Sequence, residues 1–538
     1  MDDFTVKVDR TNTPSEFTFS PIFNVAVAFI DSHLEKKRHT KIAIQTKTAT
    51  VTFGDLAEQV NRCGNMLLDK GILPTQRIMM VMRDTPAFLY LFWGAIKAGI
   101  VPVPVNTLLR HEDFAFMIEK TQCKGLFYSP DYQPDIETAL DIATHQPNVV
   151  LAEGIALSDQ KSLEANIAEH SPELAPHPTS ADADCFWLFS SGSTGRPKAA
   201  VHRHRDMVVT SELYGVGCLN IRENDTFYSA AKLFFAYGLG NAMTLPLWVG
   251  GTIVLDPRKP TPEITVENIK KFKPTLYFGV PTLYASLLNY FNGLPFKHDL
   301  NPVRVCVSAG EALPGNILER WRENFGIDIL DGIGSTEALH IFITNLPNNT
   351  LPGTSGQVVP GYTARILDEN DQALGPGKIG RLVIKGPSVA RCYWEDHEQT
   401  AQTMRGDWLE TGDTYVKDEN DVFTYCGRTD DMMKVGGIWC SPFEIEAQLI
   451  SHRAVLESAV VGKRDKAGLI KPAAFIVLND PEEANPSLKE ELTNYLRETL
   501  APYKFPRWIE FVDTLPKTAT GKVQRFKLRT QENLLIKS

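Results

Sequence analysis

The sequence predicts an α/β protein in two unequal parts, and three observations carry that expectation. Strand-like apolar runs alternate with helical stretches up to about Thr350. The texture then shifts to short β-like pieces between Gly, Asp and Asn turns. The length, 538 residues, exceeds what one hydrophobic core organises. The expected architecture is a large N-terminal domain, residues 1–429, of parallel α/β sheets plus a small β-rich subdomain. A smaller α+β C-terminal domain, residues 430–538, follows.

Each element has a local reason. Residues 77–82 (RIMMVM) read as a strand; Asp84 is expected to cap the next helix, Pro86 suits its first turn, and the helix should run to Gly99. Residues 100–105 (IVPVPV) are then extended. The same order recurs as strand 275–279, helix 281–290, strand 303–308, helix 314–325 and strand 327–330, which calls for a largely parallel sheet. Beyond Thr350, TARILD, GRLVIKG and DVFTYCG supply the β-rich subdomain. A boundary is expected at Thr429-Asp430-Asp431, before a glycine pair, helices at 442–450 and 487–500, and strands at 455–461 and 473–478.

Composition narrows the function classes. A 43% hydrophobic and 22% charged chain is an ordinary globular protein, neither disordered nor fibrous. A formal net charge of -10 argues against nucleic acid as the main partner, because neutralising phosphates needs clustered Lys and Arg. The eight cysteines are scattered without a C-x-x-C pair or histidines at zinc-ligand spacing, so reduced thiols in a cytoplasmic protein are expected. MDDFTVKVDR lacks a basic start followed by an apolar stretch, and the apolar region 87–105 is broken by Lys97, Gly99, Pro102 and Pro104. Neither a signal peptide nor a transmembrane helix of roughly 20 residues is expected.

Five motifs carry chemistry. SSGSTGRPK (190–198) follows the apolar run CFWLF; its spacing fails the Walker pattern, yet its small residues, hydroxyls and Lys198 suit a phosphate cradle. Alone it reads equally as a Gly/Ser turn. DGIGSTEA (331–338) sets the Thr336 hydroxyl beside the Glu337 carboxylate, suited to Mg²⁺ against phosphate, or else to a helix N-cap. TGD (411–413) puts Asp413 in a turn, where it suits a ribose hydroxyl pair or a structural role. GRTDDMMKVGG (427–437) offers Arg428 and a charged linker, and PKTATGKVQR (516–525) carries Lys522 on a glycine-bearing loop.

Taken in order, these motifs resemble those of the adenylate-forming superfamily of acyl-CoA synthetases, carrier-protein adenylation domains and luciferases, over essentially the whole chain. The resemblance implies ATP, Mg²⁺ and coenzyme A as cofactors and co-substrates. It implies that Ser190, Ser191, Gly192, Ser193, Thr194, Gly195 and Lys198 hold the β- and γ-phosphates and that Glu337 ligates the metal. Gly310, Glu311, Ala312, Asp331, Gly332, Ile333, Gly334, Ser335 and Thr336 would surround the nucleotide, and Asp413 and Arg428 would take the ribose. Asp430 would be the hinge of a mobile C-terminal domain, Lys522 the adenylation lysine, and Gly436-Gly437 the strand that reaches the acyl-adenylate for thiol attack.

KLFFAYGLGNAMTLPL (232–247), by itself a core strand entering a helix, resembles the acid site of benzoate and 2-aminobenzoate CoA ligases. That match implies a ring pocket of Phe235, Ala236, Tyr237, Ala309, Gly332, Ile333, Gly334, His340 and Ile341. Small residues would leave a slot and apolar walls would bury a ring. His340 and Tyr237 either hydrogen-bond an ortho substituent or pair within the fold. The implied reaction converts benzoate or 2-aminobenzoate to aryl-AMP and then to aryl-CoA; the alternative acceptor is a phosphopantetheinyl carrier protein, and a non-catalytic nucleotide sensor is a third reading. Partners in nucleic acid or membrane are not expected, and a monomer or homodimer is.

Overall fold

Strand-helix-strand alternation builds two parallel sheets. The computed structural model describes every residue except 1–2, 157–160, 192–196, 292–299, 301, 436–437, 466–467, 518–522 and 530–538. Among the described residues, Ile42–Gln45, Thr252–Val254, Thr226–Ser229, Leu276–Gly279, Val305–Ser308 and Ile329–Gly334 pair in that order as parallel strands. Antiparallel Thr50–Thr52 closes one edge, and Ile341–Thr344 with Gln357–Val358 closes the other. A second sheet, all parallel, runs Val101–Pro104, Arg77–Val81, Gly125–Tyr128, Val149–Ala152. The strand runs are buried on both faces, as parallel sheets covered by helices require.

The helix Pro86–Lys97 is apolar all round because it is enclosed by the second sheet and by Phe53–Asp69. Gly94 permits the helix–helix approach: a Cβ there would lie 2.8 Å from the Val60 carbonyl oxygen. Lys97 is buried, its ammonium held at 2.7 Å by both Asp31 and Asn61. The expected cap at Asp84 is not made. Thr85 takes the N-cap position without a side-chain bond, while Asp84 turns inward to accept from the Leu233 N–H at 3.1 Å near the Lys232 ammonium. A buried carboxylate gains more from that N–H and that charge than from an N-terminus reachable by water.

A three-stranded antiparallel sheet, Asp184–Ser191, Pro197–Arg203 and Cys392–Tyr393, joins the second sheet to the site. The β-rich subdomain holds Thr363–Leu367, Gly380–Lys385, Trp408–Lys417, Met404–Arg405 and Phe423–Arg428. TGD therefore lies inside a ten-residue strand rather than in a turn; Gly412, at φ +73°, bends that strand locally. The alternative for Ser335-Thr336-Glu337, a helix N-cap, is not formed, because the chain turns through Leu339, at φ +68°, into the strand Ile341–Thr344.

Beyond Asp430 come a hairpin, Met433–Val435 and Ile438–Cys440, and the helix Pro442–Ile450, capped by the Ser441 hydroxyl. Antiparallel Val455–Arg464 and Ile470–Leu478 are joined in parallel by Trp508–Phe511. Leu488, Leu492 and Leu496, four apart on the helix Pro486–Thr499, pack with Ile445 and Leu449 to give this part its own core. All eight cysteines are free. Among the described residues no helix is long and apolar enough to cross a membrane.

Three of the histidines buried in the large domain are held in the neutral form. His33 bonds the Leu247 carbonyl at 2.7 Å, His204 accepts from the Val25 N–H at 3.2 Å, and His340 packs on Tyr214. Burial pushes each down to about 3 from an ordinary 6.5. The unfolded chain then binds protons that the folded chain excludes. Their neutral-form stability is complete above about pH 6.5 and is lost as pH falls toward 3. His33→Gln is expected to reduce the pH dependence of unfolding free energy between pH 4 and 6 by up to ~1.4 kcal/mol per pH unit, measured from urea transitions; an unchanged slope would show that His33 titrates normally.

Candidate active site

Side chains two apart on a strand, and those directly opposite on its neighbour, share one face of a sheet. In the three-stranded sheet Lys198 lies opposite Ser190, and Ala200 lies opposite Tyr393, so Ser190, Lys198 and Tyr393 share a face. The Glu337 carboxylate meets that face: Oε1 accepts from Ser190 Oγ at 2.8 Å and from Tyr393 Oη at 2.7 Å. The Lys198 ammonium sits 5.4 Å from the centre of the Tyr393 ring. Partial burial lowers its pKa, Glu337 and Asp396 oppose that shift, and Arg428 adds to it.

The turn presenting Glu337 is fixed on both sides. His202, buried against Asp206, bonds the Thr336 carbonyl through Nε2 at 2.8 Å. The Ala390 N–H donates to the Glu337 carbonyl at 2.7 Å, and the Ala338 N–H donates to Ser335 Oγ at 3.1 Å. Among the described residues both side-chain hydrogen bonds to Glu337 fall on Oε1, and Oε2 takes none. No cluster of three or more His, Cys, Asp or Glu able to hold a metal occurs among the described residues. A lone carboxylate of this kind suits Mg²⁺, which keeps several waters and binds through one or two carboxylates plus phosphate oxygens.

Asp413 and Arg428 are direct cross-strand partners, and Arg428 Nη1 donates to Asp413 Oδ1 at 2.9 Å. The two side chains are therefore held as one unit. Gly310, Glu311 and Ala312 follow the C-terminal end of Val305–Ser308, where open α/β sheets bind ligands. Gly310 has φ +95°, a conformation that requires glycine. Asp331 sits opposite Ser308 on the next strand, 3% exposed, its carboxyl raised well above the usual range by burial and only weakly touched by the Leu313 N–H at 3.4 Å. Asp430 is exposed in a tight turn, its carbonyl accepting from Arg529 at 3.4 Å.

Of the expected ring-pocket residues, Ala309 and Ile341 are buried in one cluster with Ile333 and Tyr237 packed against it. Phe235 holds the N-cap position of the helix Ala236–Leu239 and packs on Phe234, and Ala236 is buried in a different cluster, with Leu233 and Leu239. Gly332 and Gly334 do not open a slot along their Cβ directions. A Cβ at Gly332 would lie 2.8 Å from the Ile343 carbonyl oxygen, and one at Gly334 2.5 Å from that of His340. Their smallness admits the returning strand. The Tyr237 hydroxyl is within 3.2 Å of the Gly279 and Val307 carbonyls and is spent within the fold. His340 Nε2 lies 3.1 Å from Asn241 Oδ1, and Nδ1, buried, has no hydrogen-bond partner among the described residues. Gly192, Ser193, Thr194, Gly195, Gly436, Gly437 and Lys522 lie outside the described residues; Ser191 ends its strand opposite Pro197.

This assembly agrees with sequence-family matching: residues 31–394 match the AMP-binding enzyme model and residues 444–522 match the AMP-binding enzyme C-terminal domain. The chain belongs to the AMP-binding enzyme family. It is 45% identical to a benzoate–CoA ligase of Thauera aromatica over 97% of this chain and 98% of that one. Among solved structures of AMP-binding enzymes, it superposes on a benzoate CoA ligase from Burkholderia xenovorans with a TM-score of 0.86 at 42% identity, covering 94% of this chain and all of the other. An anthranilate CoA ligase in complex with anthranoyl-AMP gives a TM-score of 0.90 at 36% identity, covering 95% and 98%.

Three residues of this AMP-binding enzyme escaped the sequence reading. Tyr393 lies in ARCYWED, which has no chemical signature, and it joins Glu337 only because Cys392–Tyr393 adds to the strand of Lys198. His202 and Asn241 act across 134 and 99 residues of chain, distances at which no periodicity operates. Gly240 controls the last contact, since a Cβ there would fall 2.2 Å from His340 Cδ2. Gly240→Ala is expected to displace the imidazole and destabilise the large domain by roughly 1–3 kcal/mol in urea melts. An alanine variant as stable as the parent would show that the imidazole has room to move.

Proposed function

We propose that this AMP-binding enzyme is an ATP-dependent aryl-CoA ligase that adenylates benzoate or 2-aminobenzoate and passes the aryl group to coenzyme A. The observation that carries the proposal is the meeting of Ser190, Lys198 and Glu337 on one sheet face, from segments 147 residues apart. The benzoate and anthranilate ligases among its relatives support the class of acid.

A carboxylate is a poor acyl donor because its leaving group would be oxide. In the first half-reaction a carboxylate oxygen attacks the α-phosphorus of ATP, the bond from that phosphorus to the α,β-bridging oxygen breaks, and aryl-AMP and pyrophosphate form. Two anions must approach, so Lys198 at the departing phosphates and Lys522 at the carboxylate would offset repulsion and charge building in the transition state. Ser190 and the loop after it would steady the same phosphates. Glu337, with Thr336 beside it, would hold Mg²⁺, which when bound neutralises phosphate oxygens. Asp413 and Arg428 would fix the ribose, and the loop at Gly310 together with the backbone of Asp331 and Gly332 would line the adenine.

In the second half-reaction the thiol of CoA attacks the aryl carbonyl and AMP leaves. The residues that this step needs differ from those of the first, which is the reason for a hinge at Asp430 between domains 1–429 and 430–538, with Gly436-Gly437 replacing Lys522 at the acid. Phe235, Ala236, Ala309, Ile333 and Ile341 would bury the ring. A ring carrying an ortho polar substituent would find His340 Nδ1 without a hydrogen-bond partner among the described residues.

Lys522→Ala is expected to slow pyrophosphate release by roughly 10²–10³-fold while sparing thioester formation from supplied benzoyl-AMP. Equal loss of both halves would contradict the assigned role. A pyrophosphate-release panel over benzoate, 2-aminobenzoate, 2-hydroxybenzoate, 4-hydroxybenzoate and a medium-chain fatty acid should favour the aromatic acids by at least about tenfold in kcat/KM, the worth of a buried apolar contact. A preference for the fatty acid would overturn the ring pocket.

A further inference from the structure

We infer that Tyr393 is a positioning residue for the adenylation half-reaction, orienting Glu337 toward a divalent cation and carrying the Lys198 ammonium on its ring. The inference rests on the aryl-CoA ligase reading and adds to it a residue that no motif supplies.

A buried tyrosine hydroxyl usually finds some acceptor, and a single bond to a carboxylate would be unremarkable on that ground. Three further facts separate Tyr393 from that ordinary case. Its hydroxyl and that of Ser190 converge on the same oxygen of Glu337, at 2.7 and 2.8 Å, so rotation of the carboxylate would break both bonds. With Oε1 holding two donors, Oε2 is left without a side-chain hydrogen bond among the described residues. The second fact is the ring: Lys198 lies 5.4 Å from its centre, close enough for a cation–π attraction that restrains a long, flexible side chain. One residue thus touches both groups assigned to the pyrophosphate end of ATP.

The third fact is how firmly Tyr393 is held. It is 4% exposed, its N–H donates to Thr400 Oγ1 at 3.0 Å, and the flanking Arg391 and Trp394 N–H groups donate to Val201 and Ala199, at 2.9 and 2.8 Å. The same segment donates the Ala390 N–H to the Glu337 carbonyl. Trp394 stacks on Trp187 with ring centres 4.4 Å apart, on the far side of the backbone from the site. Backbone and side chain of residues 390–394 therefore brace Glu337 from two directions. Partners of this kind behind a metal-binding side chain tune affinity through orientation, typically by about 10–100-fold.

The test measures Mn²⁺ binding to the full-length enzyme in saturating α,β-methylene-ATP by electron paramagnetic resonance, alongside the two half-reactions. Tyr393→Phe, which keeps the ring and removes the hydroxyl, should raise the Mn²⁺ Kd by about 10-fold and slow pyrophosphate release, with thioester formation from supplied benzoyl-AMP within about twofold of the parent. Tyr393→Leu should show the same Mn²⁺ defect and a further rise in KM for ATP, because the support under Lys198 is also lost. Thermal melts establish that each variant is folded. An unchanged Mn²⁺ Kd in folded Tyr393→Phe, or equal loss in both half-reactions, would overturn the inference. Should the parent fail to bind Mn²⁺ with the ATP analogue at all, the ligase reading itself would fall.

Discussion

Glu337 accepts hydrogen bonds from Ser190 and Tyr393 through a single carboxylate oxygen, and that small convergence ties together three stretches of chain that otherwise belong to different layers. One is the strand leading into the phosphate-loop sequence, another the turn leaving the nine-stranded sheet, and the third a two-residue strand before the β-rich subdomain. Two fixed donors on one oxygen hold the carboxylate in one orientation without consuming the other oxygen. The surrounding arrangement serves this point: His202 holds the Thr336 carbonyl, Ala390 the Glu337 carbonyl, and Ser388 the Ala338 carbonyl at 2.7 Å.

The large sheet contributes position rather than chemistry. Its parallel strands end together, so Gly310 and Asp331 emerge side by side from neighbouring strands, and the antiparallel return at Ile341–Thr344 folds His340 back over the same edge. That return also explains the glycines of DGIG. They are small because another backbone runs against them. Asn241 and Gly240, on a π-helical turn after the helix Ala236–Leu239, set where the His340 ring lies; such turns are frequent where a helix is deformed to serve a site.

Much of this was legible in the residues. The helix Pro442–Ile450 was readable to the residue because Ser441 and Pro442 mark its start, and the parallel strands were readable because they are short apolar runs between helices. The misreadings share a cause. Asp84 is the right residue type for a cap but is drawn to a buried N–H and to Lys232, which arrive from residues 232 and 233. TGD has turn composition but is held extended by strands on both sides. Local preference amounts to a few tenths of a kcal/mol up to about 1 kcal/mol per residue, and a buried charge or a sheet pairing outweighs it.

What the sequence determined by itself is the inventory: an α/β chain in two parts, a hydroxyl-rich loop with Lys198, Glu337 after a strand, the Asp413 and Arg428 pair, and Lys522 near the end. These are set by residue type and order, which chemistry reads without coordinates. What only the tertiary structure decided is which atoms share a space. Ser190, Lys198 and Tyr393 face one way because strand pairing has a period of two and a fixed register. The hydroxyl of Tyr237 is used up by two carbonyls, and His340 is locked by Asn241, because burial forces each polar group to find a partner wherever the fold brings one. Register and burial are properties of contacts between distant segments, and no window along the chain contains them.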